Sequence, residues 1–154
     1  DAYADKSLFD ASLCELENIL KSLDISSNGL GGRQHYLRYD ISITPNLWND
    51  SGLVYDSSLG YEAMSGFRSG VCFEYIMYDL INRKPLKLIQ RPLVLMDYPI
   101  IHDEGLGYSK DSLNRFLYFK EICKKFNGDF TLLWHNSFFI HKSDRTFYLK
   151  LIAD

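Results

Sequence analysis

The chain has 154 residues, 46% apolar and 15% aromatic, enough to bury the core of one domain. Its formal net charge of -3, with no basic stripe, argues against nucleic acid as a partner, and no apolar run approaches the roughly 20 residues of a membrane span. The three cysteines, Cys14, Cys72 and Cys123, lie too far apart for a zinc site, and free thiols favour a cytoplasmic location over export.

The first part of the chain predicts two helices, two strands and a long loop. Residues 12–23 carry a capping-box pair and leucines at helical spacing, which predicts an amphipathic helix packed on a sheet. Residues 33–39 alternate polar and apolar side chains, which predicts a strand. A Thr-Pro pair opens residues 44–52 and a glycine closes them, as in a short helix. The apolar run 53–55 predicts a buried strand, and the glycine- and serine-rich stretch 57–70 predicts a loop.

The second part predicts a strand, a helix and a further strand. Residues 93–96 follow a proline and form a short apolar run, which predicts the central strand. Residues 109–126 have an apolar face at helical spacing and are followed by Asn-Gly, a helix stop. Residues 130–134 predict another buried strand. Since no repeat or linker interrupts the pattern, we expect a single α/β domain over residues 1–154.

Three of the predicted strands end at an ionisable residue: Asp56, Asp97 and His135. Runs that are apolar on both faces are typical of buried parallel strands, whose carboxyl ends share one rim. We therefore expect these side chains to line one cleft. A carboxylate beside a histidine favours the imidazolium and fixes which ring nitrogen faces the reacting atom. The pattern predicts that His135 is a general acid for a leaving nitrogen; the alternative is a hydrogen-bonded structural histidine beneath a loop.

Two arginines and two aromatic residues complete the candidate cleft. Arg33 and Arg68 each lie in a glycine-bearing segment, where a guanidinium can hold a carboxylate through two parallel hydrogen bonds. The alternative for each is an arginine that braces a loop. Trp134 and Tyr61 are predicted to line the cleft, and Asp97 to contact the substrate.

Five short strings occur along the chain in a definite order: RQHYLR at 33–38, YDSSLGY at 55–61, GFRSGVC at 66–72, PLVLMD at 92–97 and LLWHN at 132–136. Together they resemble a bacterial branch of the polysaccharide deacetylase (NodB-like) family. The resemblance implies a deformed, incomplete (β/α) barrel. It also implies removal of an acetyl group from an N-acetylated sugar, in surface-polysaccharide synthesis, with a divalent metal for which zinc is the expected ion.

The resemblance also assigns roles to individual residues. Arg33 matches the arginine that braces the catalytic base, with Arg68 as a competing candidate. Asp56 matches the carboxylate that orients the acid, His135 matches the acid itself, and Leu133 matches the lining of the acetate pocket.

One part of the family pattern is missing. The family's paired aspartates and metal-binding histidines precede the first predicted helix, and nothing before Asp10 matches them. A bound metal lowers the pKa of water from about 15.7 to about 7, so without these ligands we expect the polypeptide alone to be inactive. Because the chain begins with Asp1 rather than Met, we expect either a lost upstream segment or a naturally shortened relative.

Two other functions fit the sequence. A non-catalytic glycan-binding or scaffolding module would keep the fold and lose the chemistry. A glycoside hydrolase would use Asp56 and Asp97 as paired carboxylates, which must lie about 5–9.5 Å apart.

Overall fold

The structure is a computed structural model that describes residues 2–26 and 29–153, and it is a mixed α/β protein. The helices are α1 (Lys6–Ser22), α2 (Thr44–Asp50), α3 (Lys110–Lys125) and α4 (Lys142–Ile152). The strands are β1 (Gly31–Gly32), β2 (Tyr55–Asp56), β3 (Tyr75–Asp79), β4 (Lys84–Gln90), β5 (Leu95–Met96) and β6 (Leu132–Leu133). Short 3₁₀ turns occupy His35–Leu37 and Asn136–Phe138, and a π-helical turn occupies Pro99–Asp103.

The chain forms two compact units. The first unit comprises Asp1–Ser58 and Tyr75–Arg91, and the second unit comprises Leu59–Glu74 and Pro92–Asp154. None of the helices in the described ranges combines the length and the hydropathy needed to cross a bilayer.

The first unit contains a four-stranded sheet in the order β1-β2-β4-β3. Strands β1, β2 and β4 are parallel, and β3 is antiparallel to β4. In this register Gly32 lies opposite Asp56, and Asp56 lies opposite Gln90. The carboxyl ends of the three parallel strands are therefore aligned, with Asp56 on the middle one.

The core of the first unit forms where α1 and α2 supply large apolar side chains. The Asp5 carboxylate caps α1 by accepting a hydrogen bond from the Leu8 backbone N–H at 3.0 Å. The rings of Phe9 and Trp48 pack with their centroids 5.5 Å apart. The buried residues of this core are Phe9, Leu47, Trp48, Leu53, Met77, Leu86 and Leu88.

The second unit is built on the parallel pair β5 and β6, with Leu95 opposite Leu132 and Met96 opposite Leu133. Helix α3 begins after Ser109, whose side chain accepts a hydrogen bond from the Ser112 backbone N–H at 3.2 Å. The core of this unit is Cys72, Val94, Leu95, Ile100, Ile101, Phe116, Phe119, Cys123, Phe147 and Leu151.

Most of the predicted elements are confirmed. The helices predicted at 44–52 and 109–126 are α2 and α3. The apolar run at 53–55 overlaps β2, and the runs at 93–96 and 130–134 contain β5 and β6. The stretch 57–70 forms no helix or strand, as expected of a loop. The observed strands are shorter than the apolar runs, because only two residues of each are paired.

The strand predicted at 33–39 is wrong. Strand β1 ends at Gly32, and the chain then turns through residues 35–37. Tyr36 and Leu37 have φ of 58° and 52°, which is left-handed backbone. Tyr36 points to solvent while Leu37 is buried. Polar and apolar residues follow one another in this turn as they do in a half-buried strand, so the sequence pattern could not distinguish the two.

The start of the first helix was also predicted too late. Helix α1 begins at Lys6, and Ser12 lies inside it, where its hydroxyl donates to the Leu8 carbonyl at 2.9 Å. Serine occurs both at helix N-caps and inside helices, where its hydroxyl bonds the carbonyl four residues back. The sequence pattern alone does not distinguish the two positions.

Two elements were missed, the β3–β4 hairpin and α4. The hairpin turn contains no glycine; instead the Asp79 carboxylate accepts hydrogen bonds from the backbone N–H groups of Ile81 and Asn82 at 2.9 and 3.0 Å. Within the described ranges the strands form one four-stranded and one two-stranded sheet, and no closed barrel. The incomplete barrel implied by the resemblance stays a prediction.

Candidate functional site

Asp97 and His135 lie side by side in the second unit. Asp97 directly follows β5, and His135 comes two residues after the end of β6. Because β5 and β6 are parallel neighbours, their carboxyl ends leave the sheet on the same side. The fold therefore brings together two side chains that are far apart in the sequence.

The carboxylate of Asp97 holds His135 at two points. Its Oδ1 lies 2.7 Å from the imidazole Nδ1, and its Oδ2 accepts a hydrogen bond from the His135 backbone N–H at 2.5 Å. Oδ1 also accepts a hydrogen bond from the Tyr98 backbone N–H at 2.8 Å. These donors satisfy a side chain that is wholly buried. Both carboxylate oxygens also accept from backbone N–H groups, so a protonated Nδ1 is the matching donor and the contact fixes the ring orientation.

His135 is accessible although its partner is not. The His135 side chain is 45% exposed, whereas that of Asp97 is 0% exposed. With Nδ1 held by the buried carboxylate, Nε2 is the nitrogen left to exchange a proton with a bound molecule. A buried carboxylate behind a half-exposed imidazole is an arrangement suited to general acid–base catalysis.

A short aromatic segment borders the imidazole. The Phe138 ring centroid is 5.5 Å from that of His135, and the Phe138 carbonyl accepts a hydrogen bond from the Tyr108 hydroxyl at 2.9 Å. Burial raises the pKa of Tyr108, and the nearby Asp144 and Asp97 carboxylates raise it further. Tyr108 therefore stays a hydrogen-bond donor at neutral pH and fixes the turn that follows His135.

Arg33 braces the loop after β2 in the first unit. Its Nε and a terminal guanidinium nitrogen donate to the Ser57 carbonyl and hydroxyl at 2.9 and 3.0 Å. Burial lowers the pKa of Arg33, although the Asp56 carboxylate opposes this shift. These contacts match the loop-bracing alternative for Arg33, and its role toward a catalytic base stays a prediction.

Asp56 is buried at the end of β2. Its Oδ1 accepts hydrogen bonds from the backbone N–H and the hydroxyl of Ser58. Burial raises the pKa of Asp56, against the lowering effects of Ser58, Gln90 and Arg33. Among the described residues, Asp56 Oδ2 and Gln90 Oε1 have no hydrogen-bond partner. Asp56 is thus a carboxyl group that burial holds partly toward its neutral form.

The contact between Asp97 and His135 bears on which carboxylate orients the imidazole. The resemblance implied this role for Asp56, and the sequence predicted a substrate contact for Asp97. In the structure the carboxylate that contacts His135 is that of Asp97, and an orienting role for Asp56 stays a prediction. Asp56 belongs to the first unit and His135 to the second, so a shared cleft stays a prediction. The same holds for Asp56 and Asp97 as paired carboxylates of a glycoside hydrolase.

The remaining predicted residues lie in the second unit. Arg68 donates to the Gly60 carbonyl at 3.0 Å and so ties together the loop that carries the exposed Tyr61. Leu133 is half-buried in β6. Trp134 packs against the core of this unit, and its indole N–H is buried without an acceptor among the described residues. A substrate contact for Tyr61, Leu133 or Trp134 stays a prediction.

Sequence reasoning missed Tyr98 and Phe138 as neighbours of the site. Tyr98 follows Asp97 directly, and Phe138 comes three residues after His135. The available signal was an aromatic residue within a few positions of each ionisable group that follows β5 or β6.

Comparisons with protein-family models, with curated proteins and with solved structures give no match to this chain. In the described ranges, no group of three or more His, Cys, Asp or Glu side chains is arranged to hold a metal ion. The divalent metal implied by the resemblance stays a prediction.

Proposed function

We propose that the second unit supplies the general acid of a carbohydrate N-deacetylase, with His135 as the acid and Asp97 as its positioning residue. The observation that carries the proposal is the 2.7 Å contact between a buried carboxylate and a half-exposed imidazole at adjacent parallel strand ends. We further propose that the chain is the later part of a deformed, incomplete (β/α) barrel of the polysaccharide deacetylase type. The order of the five sequence strings supports this architecture.

The proposed step is the collapse of the tetrahedral intermediate of acetamide hydrolysis. The imidazolium donates its Nε2 proton to the amino-sugar nitrogen as the bond between this nitrogen and the acetyl carbon breaks. Acetate and a free amine are released, and the imidazole becomes neutral. The Nδ1 proton stays on the imidazole throughout, hydrogen-bonded to the Asp97 carboxylate, which stabilises the positive charge before the transfer.

The test measures acetate release from N-acetylhexosamine oligomers with Zn²⁺ present. It uses the chain extended by an upstream segment that carries the family's paired aspartates and metal-binding histidines. We expect His135→Ala to lower turnover by about 10²–10⁴-fold, the usual contribution of a general acid. His141→Ala removes an exposed imidazole at the N-cap of α4, outside the Asp97–His135 contact, and the folded variant should keep the turnover of the parent. Nearly full turnover in His135→Ala would refute the role assigned to His135.

A second candidate is a non-catalytic glycan-binding relative of the same fold. The lack of a metal-binding group among residues 2–26 and 29–153 favours it. Sugar binding by the extended chain without any acetate release, at every metal concentration tested, would support this candidate over the enzyme.

A further inference from the structure

Three aromatic rings form a continuous group beside the Asp97–His135 pair. Tyr98 and His102 stack at 5.0 Å with an interplanar angle of 20°, and Tyr98 and Phe138 stack at 6.3 Å and 24°. The rings of His102 and Phe138 are 4.8 Å apart. Tyr98 and His102 follow β5, and Phe138 follows β6, so the two loops that carry the acid–base pair also build this group. We call these three residues the aromatic shelf.

The shelf lies at the surface rather than in the core. Tyr98 is 46% exposed, His102 is also exposed, and Phe138 is half-buried. Neither Tyr98 nor Phe138 is among the described residues that form the buried cluster of the second unit. Exposed apolar area that is contiguous, rather than scattered as single side chains, is typical of surfaces that bind another molecule.

The shelf is held in place by hydrogen bonds of its own backbone. The Tyr98 N–H donates to Asp97 Oδ1 at 2.8 Å, and the Phe138 carbonyl accepts from the Tyr108 hydroxyl at 2.9 Å. Aromatic side chains have only two rotatable bonds, so a ring fixed at its backbone loses little entropy when it binds a ligand. The same carboxylate therefore positions the imidazole and one edge of the shelf.

The position of the shelf limits what it can bind. The Phe138 ring is 5.5 Å from the imidazole of His135, so a flat molecule on the shelf lies within reach of the acid. The segment that carries His102 continues into the exposed Asp103, whose carboxylate repels polyanions. The next carboxylate, that of Glu104, forms an ion pair with Arg115 at 3.8 Å. A neutral ligand with an apolar face and a polar rim fits these surroundings.

We propose that the aromatic shelf binds the pyranose ring of an N-acetylated sugar, next to the group that His135 protonates. The partly positive C–H bonds on one face of a pyranose meet the negative faces of the rings, while its hydroxyls reach His102 and solvent. This inference rests on the proposed function, because it gives the substrate of the same site a binding surface. It adds Tyr98, His102 and Phe138 as residues that determine specificity.

The experiment is a titration of the full chain followed by NMR of the aromatic and histidine ring protons. The probes are tri- and tetrasaccharides of N-acetylglucosamine, N-acetylgalactosamine and N-acetylmannosamine. We expect at least one of them to shift the ring signals of His102 and His135. Tyr98→Leu and Phe138→Leu keep an apolar side chain and remove a ring, and each should weaken binding about fivefold to tenfold. Tyr98→Phe should bind like the parent protein.

The matched control is Tyr118→Leu, which removes an exposed ring from α3 of the same unit and should not change affinity. Three results would overturn the shelf: none of the probes shifts the ring signals, Tyr98→Leu binds as tightly as Tyr118→Leu, or tetramethylammonium binds the same rings more tightly than any sugar. Loss of acetate release in the extended chain, with sugar binding intact, would contradict the proposed function and leave the shelf supported. Acetate release that does not depend on Tyr98 or Phe138 would contradict the shelf and leave the proposed function supported.

Discussion

Replacing Asp97 by asparagine should lower the free energy of unfolding and loosen the hold on the His135 ring, because asparagine cannot accept all the hydrogen bonds that the carboxylate accepts. The two carboxylate oxygens accept from three N–H groups: the backbone of Tyr98, the backbone of His135 and the His135 ring. An asparagine side chain has one oxygen and one NH₂ group. With the oxygen toward the His135 backbone, the NH₂ group faces the Tyr98 N–H; turned over, it faces the His135 N–H. Either way a buried backbone donor loses its acceptor.

The expected magnitude follows from that lost acceptor. A buried donor left unpaired costs about 1–3 kcal/mol, so Asp97→Asn should lower the free energy of unfolding by about 2 kcal/mol. Asp97→Ala leaves both backbone donors unpaired and should cost roughly twice as much.

The measurement is urea unfolding followed by circular dichroism, combined with ¹⁵N shifts of the His135 ring nitrogens. In the parent protein Nδ1 should carry the proton, and in Asp97→Asn the proton should redistribute toward Nε2. Asp103→Asn makes the same chemical change at an exposed position in the next turn, and its effect should stay within about 0.5 kcal/mol. An Asp97→Asn protein with the parent's urea midpoint and ring nitrogen shifts would refute the reasoning.

Three further predictions concern single side chains. Burial raises the pKa of Asp56, so ionisation of this group opposes folding. Asp56→Asn should therefore raise the urea midpoint at pH 7. The gain should vanish as the pH falls toward 3.8, because the parent carboxyl group is then protonated in the folded protein as well. Hydrogen bonds from Asn82 lower the pKa of Asp79 to about 2, so Asp79→Asn should lower the midpoint at pH 7. The loss should disappear as the pH falls from 3.8 through about 2, because the parent's advantage exists only while the carboxylate is ionised. Maleimide should label the exposed Cys14 in the folded protein. It should label the buried Cys123 only after unfolding, because burial raises the pKa of this thiol to about 12. Mass spectrometry of timed samples would check both results.

Much of the second unit could be predicted because its signals are local. The apolar runs before Asp97 and His135 are bounded by proline and polar residues, and the helix between them has a serine cap and an Asn-Gly stop. A strand, a helix and a strand in this order predict a parallel pair, and a parallel pair brings its two carboxyl ends together. The contact between Asp97 and His135 is the geometric result.

The choice between Asp56 and Asp97 could not be predicted from local signals. Both follow a buried strand, and periodicity gives no information on which strands are neighbours. The structure pairs β5 with β6 and places β2 in the other sheet, between β1 and β4. Strand order depends on packing between distant segments, so local signals could not show that the carboxylate beside His135 is that of Asp97.

The turn at residues 35–37 escaped prediction for a different reason. Left-handed backbone at Tyr36 and Leu37 is rare for residues with a side-chain β-carbon, and neither glycine nor asparagine announces it. Similarly, the β3–β4 hairpin depends on the Asp79 side chain in place of a glycine turn. Both features come from individual hydrogen bonds and packing contacts rather than from composition.

Because β5 and β6 pair over only two residues, the number of residues between the end of β6 and His135 cannot change without moving the imidazole. Side chains alternate between the two faces of a strand, so inserting or deleting one residue between Leu133 and His135 would turn the imidazole away from Asp97. The turn at 104–107, which precedes Tyr108, is exposed or half-buried and could lengthen without this penalty. Natural or engineered variants that keep the histidine at its distance from β6 should therefore tolerate length variation in that turn while preserving the pair.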